Sequence, residues 1–358
     1  MNNNTYCIIM AGGIGSRFWP VSTSKKPKQF LDILGVGKSL LRLTYERLSH
    51  MCPSENFLVV TNAIYEKVVL EQIPEFSPTQ VLKEPLRRNT APCIAYGVHE
   101  IRKQNPQANI IVAPSDHLIV NEQEFVSVIN TGLDIVQNNN VLLTLGIKPS
   151  RSDTGYGYIQ TGDVSFQSNH HVANKVKTFT EKPDYDLAKF FVESGEFYWN
   201  SGIFLWSVDS ISQAFETHLK VVYDLFESET SHDECLNIDE IYAKCPNISI
   251  DFGVMEKADN VHVLQTDFGW SDLGTWGALY DNAEKDSQNN ALIGDVFMYD
   301  GSDNMISVPD GKIAVVDNLD GYIIVDSGDK LLICKKENEQ KIRQYVHDVK
   351  SKKGDTFV

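Results

Sequence analysis

The residue pattern predicts an α/β protein: a mixed, mostly parallel sheet flanked by helices, followed by a small β-rich domain. Three observations carry this expectation. Short apolar runs alternate with amphipathic helical stretches through the first half of the chain. With 358 residues, 42% of them hydrophobic, the chain can bury one large core or two smaller ones. After Ala283 the helical patterns give way to apolar runs punctuated by Asp-Gly turns.

Taken in order, "YCIIM" (6–10), "FLVV" (57–60), "QVLK" (80–83), "NIIVA" (109–113) and "VLLTLG" (141–146) read as strands. Between them, 39–48 and 125–136 carry the helical period. Such a rhythm favours a sheet covered on both faces, with ligands at the carboxyl ends of its strands. Residues 154–272 mix strands ("NKVKTFTEKP", "SGIFLWSV") with helices ("DLAKFFVES", "DSISQAFETHL") and read as an elaboration of the same domain. Asp-Gly recurs at 300–301, 310–311 and 320–321, with "MISV", "KIAVV", "YIIV" and "KLLICK" around the turns and "ENEQKIRQYVHDVK" as a closing helix. Three turns at a ten-residue interval are too few to establish a solenoid. The polar stretch 282–291 divides the chain into domains 1–282 and 283–358.

Composition narrows the partners. With 48 acidic and 32 basic side chains the net charge is −16, which repels nucleic acid and anionic membrane, so an anionic ligand needs a concentrated basic site. No apolar stretch approaches the roughly 20 residues of a membrane span, and the first residues read as a strand rather than a secretory signal, so a cytoplasmic protein is expected. Six scattered cysteines without a CxxC pair signal free thiols, neither zinc nor disulfides.

The loop "AGGIGSR" (11–17) follows the first strand and leads into "FWPVSTSKKPKQF". A dinucleotide fingerprint fails because Phe18 stands where its third glycine belongs, and a Walker A loop ending at "GKS" fails at Asp32. Two adjacent glycines often form only a tight turn. The neighbours point further: the backbone N–H groups of Gly12, Gly13, Gly15 and Ser16 can converge on an anion, and Arg17 offers a forked cationic contact. Lys25, Lys26 and Lys28 complete four cations in twelve positions, which in so acidic a chain suits a polyphosphate.

This loop, with its W-P and P-K-Q-F elements, resembles the G-G-x-G-x-R…P-K signature of the sugar nucleotidyltransferases and, among them, the mannose-1-phosphate guanylyltransferase branch. The resemblance runs through ordered motifs from residue 6 to about 282, and 283–358 resembles that branch's β-rich extension. It implies a Rossmann-like nucleotidyltransferase fold with a β-helix-like C-terminal domain. It also implies the reaction GTP + α-mannose 1-phosphate → GDP-mannose + pyrophosphate, with both substrates as small-molecule partners. Gly12, Gly13, Gly15 and Ser16 would wrap the triphosphate, with Arg17 and Lys28 as catalytic cations beside it.

The other motifs are each compatible with an ordinary structural role and gain meaning from the resemblance. "EPLRRNTAPCIAYG" (84–97) reads locally as a helix start with Thr90 as N-cap and Pro92 in the first turn. In the family this stretch lies by the nucleotide base, which makes Glu84 a candidate acceptor for guanine N1–H and N2–H, with Asn89 in the same loop. Asp116 in "IIVAPSDH" and Asp272 in "FGWSDLGTW" would otherwise be turn or cap residues; the resemblance makes them the ligands of a catalytic Mg²⁺. That ion usually takes one or two protein carboxylates and fills its octahedron with water and phosphate oxygens. His117 has no partner arrangement for nucleophilic catalysis and is read as structural. Gly157 ("TGYGYIQ"), Glu181 and Lys182 ("FTEKP"), Asn200 ("YWNSGIFLW") and Asp251 ("SIDFGVMEK") resemble the sugar-phosphate side. Glu181 and Lys182 would point to opposite faces if they lie on a strand.

The longer bifunctional relatives carry an added isomerase domain for which this chain has no room, so isomerase activity is not expected. Exposed edges on the β-rich domain favour a homodimer. Two alternatives stay open: the same chemistry with another NTP or hexose 1-phosphate, and a non-catalytic sugar-nucleotide sensor.

Overall fold

The computed structural model describes residues 3–168, 171–227 and 237–358. The chain divides into two compact units. Unit 1 comprises Met1–Gly12, Thr44–Ser115 and Ile119–Trp270; unit 2 comprises Gly13–Leu43, Asp116–Leu118 and Ser271–Val358. This division differs from a single cut at 282/283. The reason is apolar: Phe18, Trp19, Leu31 and Leu40 share one core with Trp276, Met305, Ile323, Val325 and Ile342, so the glycine-loop segment packs with the β-rich segment.

The strands in chain order are β1 (Thr5–Met10), β2 (Phe57–Asn62), β3 (Val81–Glu84), β4 (Asn109–Pro114), β5 (Leu118–Ile119), β6 (Leu142–Ile147), β7 (Tyr158–Ser168), β8 (His171–Thr180), β9 (Phe197–Ser207), β10 (Val261–Thr266), β11 (Trp270–Ser271), β12 (Ala291–Ile293), β13 (Asp295–Tyr299), β14 (Met305–Ser307), β15 (Ile313–Asp317), β16 (Tyr322–Asp326) and β17 (Leu331–Lys335). The helices are α1 (Leu40–Leu48), α2 (Glu66–Gln72), α3 (Thr90–Gln104), α4 (Glu122–Asn138), α5 (Tyr185–Ser194), α6 (Val208–His218), α7 (Lys220–Glu227), α8 (Ile238–Lys244), α9 (Trp276–Asn282) and α10 (Ile342–Lys353).

Unit 1 is built on a sheet that, among the described residues, runs β3-β2-β1-β4-β9-β6-β10-β8-β7. β1 to β4 are parallel neighbours, as are β6 and β10, while β9 enters antiparallel between β4 and β6. "TYCIIM" suits the centre of such a sheet because its apolar residues are buried on both sides. Ile8, Leu58, Val60, Ile110 and Val112 join one core with residues of α3, and Gly97 of α3 lies directly on Ile8. The opposite face is covered by α4, whose Gly132 lies against Leu143 and Leu205. Asn121 caps α4 by accepting from Glu124 N at 3.1 Å, and Glu122 and Glu124 complement the positive helix end.

In unit 2 the strands form two sheets, β12-β14-β16-β17 and β13-β15, in which β12, β14 and β16, and β13 and β15, are short parallel rungs and β17 closes the first sheet antiparallel to β16. Met305 pairs with Ile323 and Asp295 with Ile313, each eighteen residues on, so the true repeat is not the ten-residue spacing of the Asp-Gly turns. Buried Asn290 and Asn304 support the coil from inside: Asn304 Nδ2 donates to Asn290 Oδ1 at 2.9 Å and to Leu319 O at 2.6 Å. The closing segment is a 3-10 turn over Lys336–Lys341 and then α10.

Cys7, Cys52, Cys93 and Cys245 are buried free thiols and Cys334 is half-buried; Cys235 lies outside the described residues. Among the described residues no helix is long and apolar enough to cross a membrane.

Candidate active site

The glycine loop follows β1 directly in the chain. Its carbonyls are tied inward. Gly13 O accepts from Gln29 Nε2 at 2.9 Å, and Ile14 O from Ser22 Oγ at 2.5 Å and Lys28 N at 3.3 Å. Gly15 has φ +69°, and a Cβ there would come within 2.5 Å of Lys28 Cβ, so both backbone conformation and the close approach of Lys28 require glycine. A 3-10 turn over Ser16–Phe18 follows, with Phe18 packed on Trp276 at 4.8 Å between ring centroids.

Within unit 2, Gly15, Ser16, Arg17, Lys28, Asp116, His117, Asp272, Gly274 and Arg343 line one cavity of about 220 Å³. The sequence-predicted phosphate, catalytic and metal residues of this half are thus gathered from segments far apart in the chain. Lys28 is the buried cation of the cavity lining. Its ammonium donates to Asp116 Oδ2 at 2.8 Å, Asp272 O at 2.8 Å and Leu273 O at 3.0 Å, which occupies its three donors. The sequence reading set Lys28 beside the phosphates; in the structure it lines the cavity with the glycine loop and also braces the two aspartate-bearing loops. Burial alone would raise the Asp116 carboxyl, but the Lys28 ammonium, with His117 and a backbone N–H, holds it below the usual carboxylate range. Arg17 Nε is buried and donates to no protein atom among the described residues.

Neither aspartate is spent as a helix cap. The N-cap of α9 is Thr275, whose Oγ1 accepts from Ala278 N at 3.1 Å, whereas Asp272 Oδ1 accepts from Gly274 N at 2.9 Å. Two hard carboxylates on the wall of one cavity, with room for ligand oxygens, fit the donor set that Mg²⁺ prefers. His117, read as structural, stands on the same wall.

In unit 1 the residues that the resemblance assigns to the sugar also converge. Asn200 N donates to Gly157 O at 2.8 Å, and Asn200 Nδ2 to Asp251 Oδ1 at 2.9 Å. Asn200 Oδ1 accepts from Thr144 Oγ1 at 2.9 Å. Gly157 lacks a Cβ that would fall within 2.5 Å of Glu181 Oε2. Glu181 and Lys182 do not face apart, correcting the strand-based expectation: β8 ends at Thr180, Lys182 adopts φ 47°, and the two side chains form an ion pair. Asp251 opens a π-helical turn over Asp251–Met255. Burial and the Glu181 charge push its carboxyl up to about 6 against the opposing effects of a backbone hydrogen bond, Lys182 and Asn200.

The 84–90 loop departs from expectation at its helix cap. The N-cap of α3 is Asn89, not Thr90: Asn89 Oδ1 accepts from Thr90 N at 2.9 Å, and Thr90 Oγ1 is drawn away to accept from Ile250 N at 2.9 Å. Glu84 is buried, its Oε1 accepting from Tyr242 Oη at 3.0 Å and its Oε2 lying 3.0 Å from where a Gly12 Cβ would be. Burial pushes its carboxyl up to about 7, opposed by Tyr242 and Arg87. Asn89 remains exposed. Sequence reasoning missed Tyr242 and Arg343, which sit in no recognisable motif, and Gly274, which lies two residues after Asp272 inside "FGWSDLGTW".

The chain has close counterparts among known proteins. Residues 6–289 match the family model described as nucleotidyl transferase. The chain belongs to that family. It is 36% identical over 355 residues to a mannose-1-phosphate guanylyltransferase of Salmonella muenchen, covering 96% of this chain and 73% of the relative. A protein of the same name from Escherichia coli is 32% identical over 348 residues, covering 95% and 74%. A solved structure from Thermus thermophilus, described as a mannose-1-phosphate geranyltransferase, superposes with a TM-score of 0.87 at 31% identity, covering 97% of this chain and 99% of that one. This nucleotidyl transferase has the family's large mixed sheet flanked by helices, with added C-terminal strands.

Proposed function

We propose that the protein transfers GMP from GTP to α-D-mannose 1-phosphate, giving GDP-mannose and pyrophosphate. The observation that carries this reading is the unit 2 cavity that gathers the glycine loop, Arg17, Lys28, Asp116 and Asp272. In this reaction an oxygen of the sugar phosphate attacks the α-phosphorus, the bond from that phosphorus to the β-phosphate bridging oxygen breaks, and pyrophosphate leaves. No covalent enzyme intermediate is required, so catalysis is alignment of two anions and offset of charge.

The Gly13–Ser16 backbone and Arg17 hold the β- and γ-phosphates. Lys28 acts as a positioning residue, keeping Asp116 ionised and fixing the Asp272 loop through its carbonyl. Asp116 and Asp272 would hold a Mg²⁺ ion, which when bound supplies charge neutralisation on phosphate oxygens. Lys182 takes the sugar phosphate, while Asn200, Glu181 and Asp251 read hydroxyls, for which an amide and carboxylates offer both acceptors and donors. The 84–90 loop serves the base, with Glu84 supporting it from the interior and Asn89 on the exposed side.

The exposed apolar residues Phe297, Tyr299, Ile313 and Val315 on β13 and β15 suit a homodimer interface, and the net negative charge suits a cytoplasmic enzyme of small molecules. Pyrophosphate release measured over a grid of NTPs and sugar 1-phosphates tests the reading. GTP with mannose 1-phosphate should give the highest kcat/KM. A faster pair would replace these substrates, and no release from any pair would favour the sensor.

A further inference from the structure

The unit 2 cavity receives a residue from the far end of the chain. Helix α10 packs on the 3-10 turn that carries Arg17, and Ile342 is buried in the same core as Phe18 and Trp19. The segment after α10 is fastened to the glycine-loop segment: Trp19 Nε1 donates to Phe357 O at 2.8 Å and Ser24 Oγ to Val358 O at 2.7 Å. Trp276 Nε1 donates to Trp19 O at 3.1 Å, and Gly277 N to Glu339 Oε2 at 2.8 Å, so α9 and the approach to α10 join the same assembly. The outcome is that Arg343, the second residue of α10, stands on the cavity wall beside Arg17.

We propose that Arg343 is a second guanidinium for the pyrophosphate portion of the nucleotide, supplied to the glycine loop by the β-rich segment's closing helix. The inference rests on the reaction assigned above and names a residue that the reaction's sequence motifs do not contain. Three cations, Arg17, Lys28 and Arg343, face two carboxylates in the cavity, and Lys28 is already committed to Asp116 and the Asp272 loop. Arg17 and Arg343 are the like-charged pair that remains. Partial burial, and to a lesser degree the Arg17 charge, pull the Arg343 guanidinium below its ordinary value. Bringing two guanidinium groups together costs energy unless an anion sits between them, and a diphosphate has the charge and the several acceptor oxygens to engage both forks.

The test uses the full chain and the variants Arg343→Ala, Arg343→Lys and, as a control on an exposed neighbouring position of α10, Gln344→Ala. Inorganic pyrophosphate is titrated calorimetrically, and KM is measured for GTP in the forward direction, pyrophosphate in the reverse direction and mannose 1-phosphate. Arg343→Ala should weaken pyrophosphate binding and raise both phosphate-donor KM values about tenfold, with Arg343→Lys intermediate and the mannose 1-phosphate KM unchanged. Gln344→Ala should match the parent. Equal pyrophosphate affinity in the parent and Arg343→Ala would overturn the proposal, as would an equal loss for all ligands or a parent that binds no pyrophosphate. Because the titration needs no turnover, a parent that binds pyrophosphate but releases none from any substrate pair would sink the assigned reaction while the Arg343 comparison still stands on its own.

Discussion

The cavity of unit 2 and the polar cluster of unit 1 are made from opposite materials. In the first, Arg17, Lys28 and Arg343 outnumber Asp116 and Asp272. In the second, Glu181 and Asp251 outnumber Lys182, and the amide of Asn200 links Asp251 to Thr144. The buried lysine of unit 2 is surrounded by acceptors, whereas Lys182 is largely exposed, with 62% of its side chain open to solvent. A cation-rich cavity with two hard carboxylates suits polyphosphate and a divalent ion. An acid-and-amide cluster with one exposed cation at its rim suits a neutral polyol that carries a single phosphate. On the proposed function the two substrates are handled by different physics, and substitutions in the two regions should fall on different kinetic constants.

The largest effect is expected in unit 2. Asp272→Ala should lower kcat by more than about 10³-fold, because charge neutralisation at transferring phosphates is among the largest contributions an active site makes. The fold should survive, since Lys28 is held by the Asp272 backbone carbonyl and not by its carboxylate. Asp116→Ala should lose activity to a similar degree and also lose stability by about 3 kcal/mol, because it strips the buried Lys28 of its counter-charge. Steady-state pyrophosphate release and denaturant melts of the two variants check both statements. Activity within tenfold of the parent in Asp272→Ala would remove it from a metal role, and equal stability in the two variants would show that Lys28 does not depend on Asp116.

A smaller and more selective effect is expected in unit 1. Lys182→Ala should lower kcat/KM for mannose 1-phosphate by about 10- to 100-fold, as for loss of one charge-assisted phosphate contact, and leave the GTP KM in place. Its exposure makes a folding defect an unattractive explanation for such a loss. A rise in the GTP KM of equal size would erase the distinction between the two regions.

How much of this was legible in the sequence follows from the range over which each feature is specified. The strands β1, β2, β4 and β6 and the alternation with helices were legible because burial on both faces leaves unbroken apolar runs. Asp116 and Asp272 were legible only through motif resemblance, since an aspartate near a strand end has several ordinary uses. The pairing of Glu181 with Lys182 was not, because it turns on a strand ending at Thr180 and on a left-handed φ at Lys182, neither of which leaves a sequence trace. The cap of α3 shifted by one residue because Ile250, 160 positions on, competes for Thr90 Oγ1. Arg343 was illegible for the same reason at longer range: only the packing of Ile342 and the anchoring of Trp19 and Ser24 decide which arginine reaches the cavity.

The smallest expected effect lies at the 84–90 loop, where Glu84 accepts from Tyr242 and its other carboxylate oxygen lies close against Gly12 inside unit 1. Burial, opposed by Tyr242 and Arg87, lifts its carboxyl from an ordinary 4.5 to about 7 in the folded chain. The folded state therefore binds this proton more tightly than the unfolded chain does. The stabilisation is fully present below about 4.5 and is lost as pH rises through about 7. Glu84→Gln keeps an oxygen for the Tyr242 hydroxyl and cannot ionise, so it removes this one titration. Between pH 6 and 8 the parent should lose about 1 kcal/mol of stability relative to Glu84→Gln, with the difference levelling above the folded-state value. Paired urea melts at half-unit pH steps measure it directly. Parallel stability curves would mean that Glu84 is ionised throughout this range, which would return its carboxylate to the pool of charges available to read guanine.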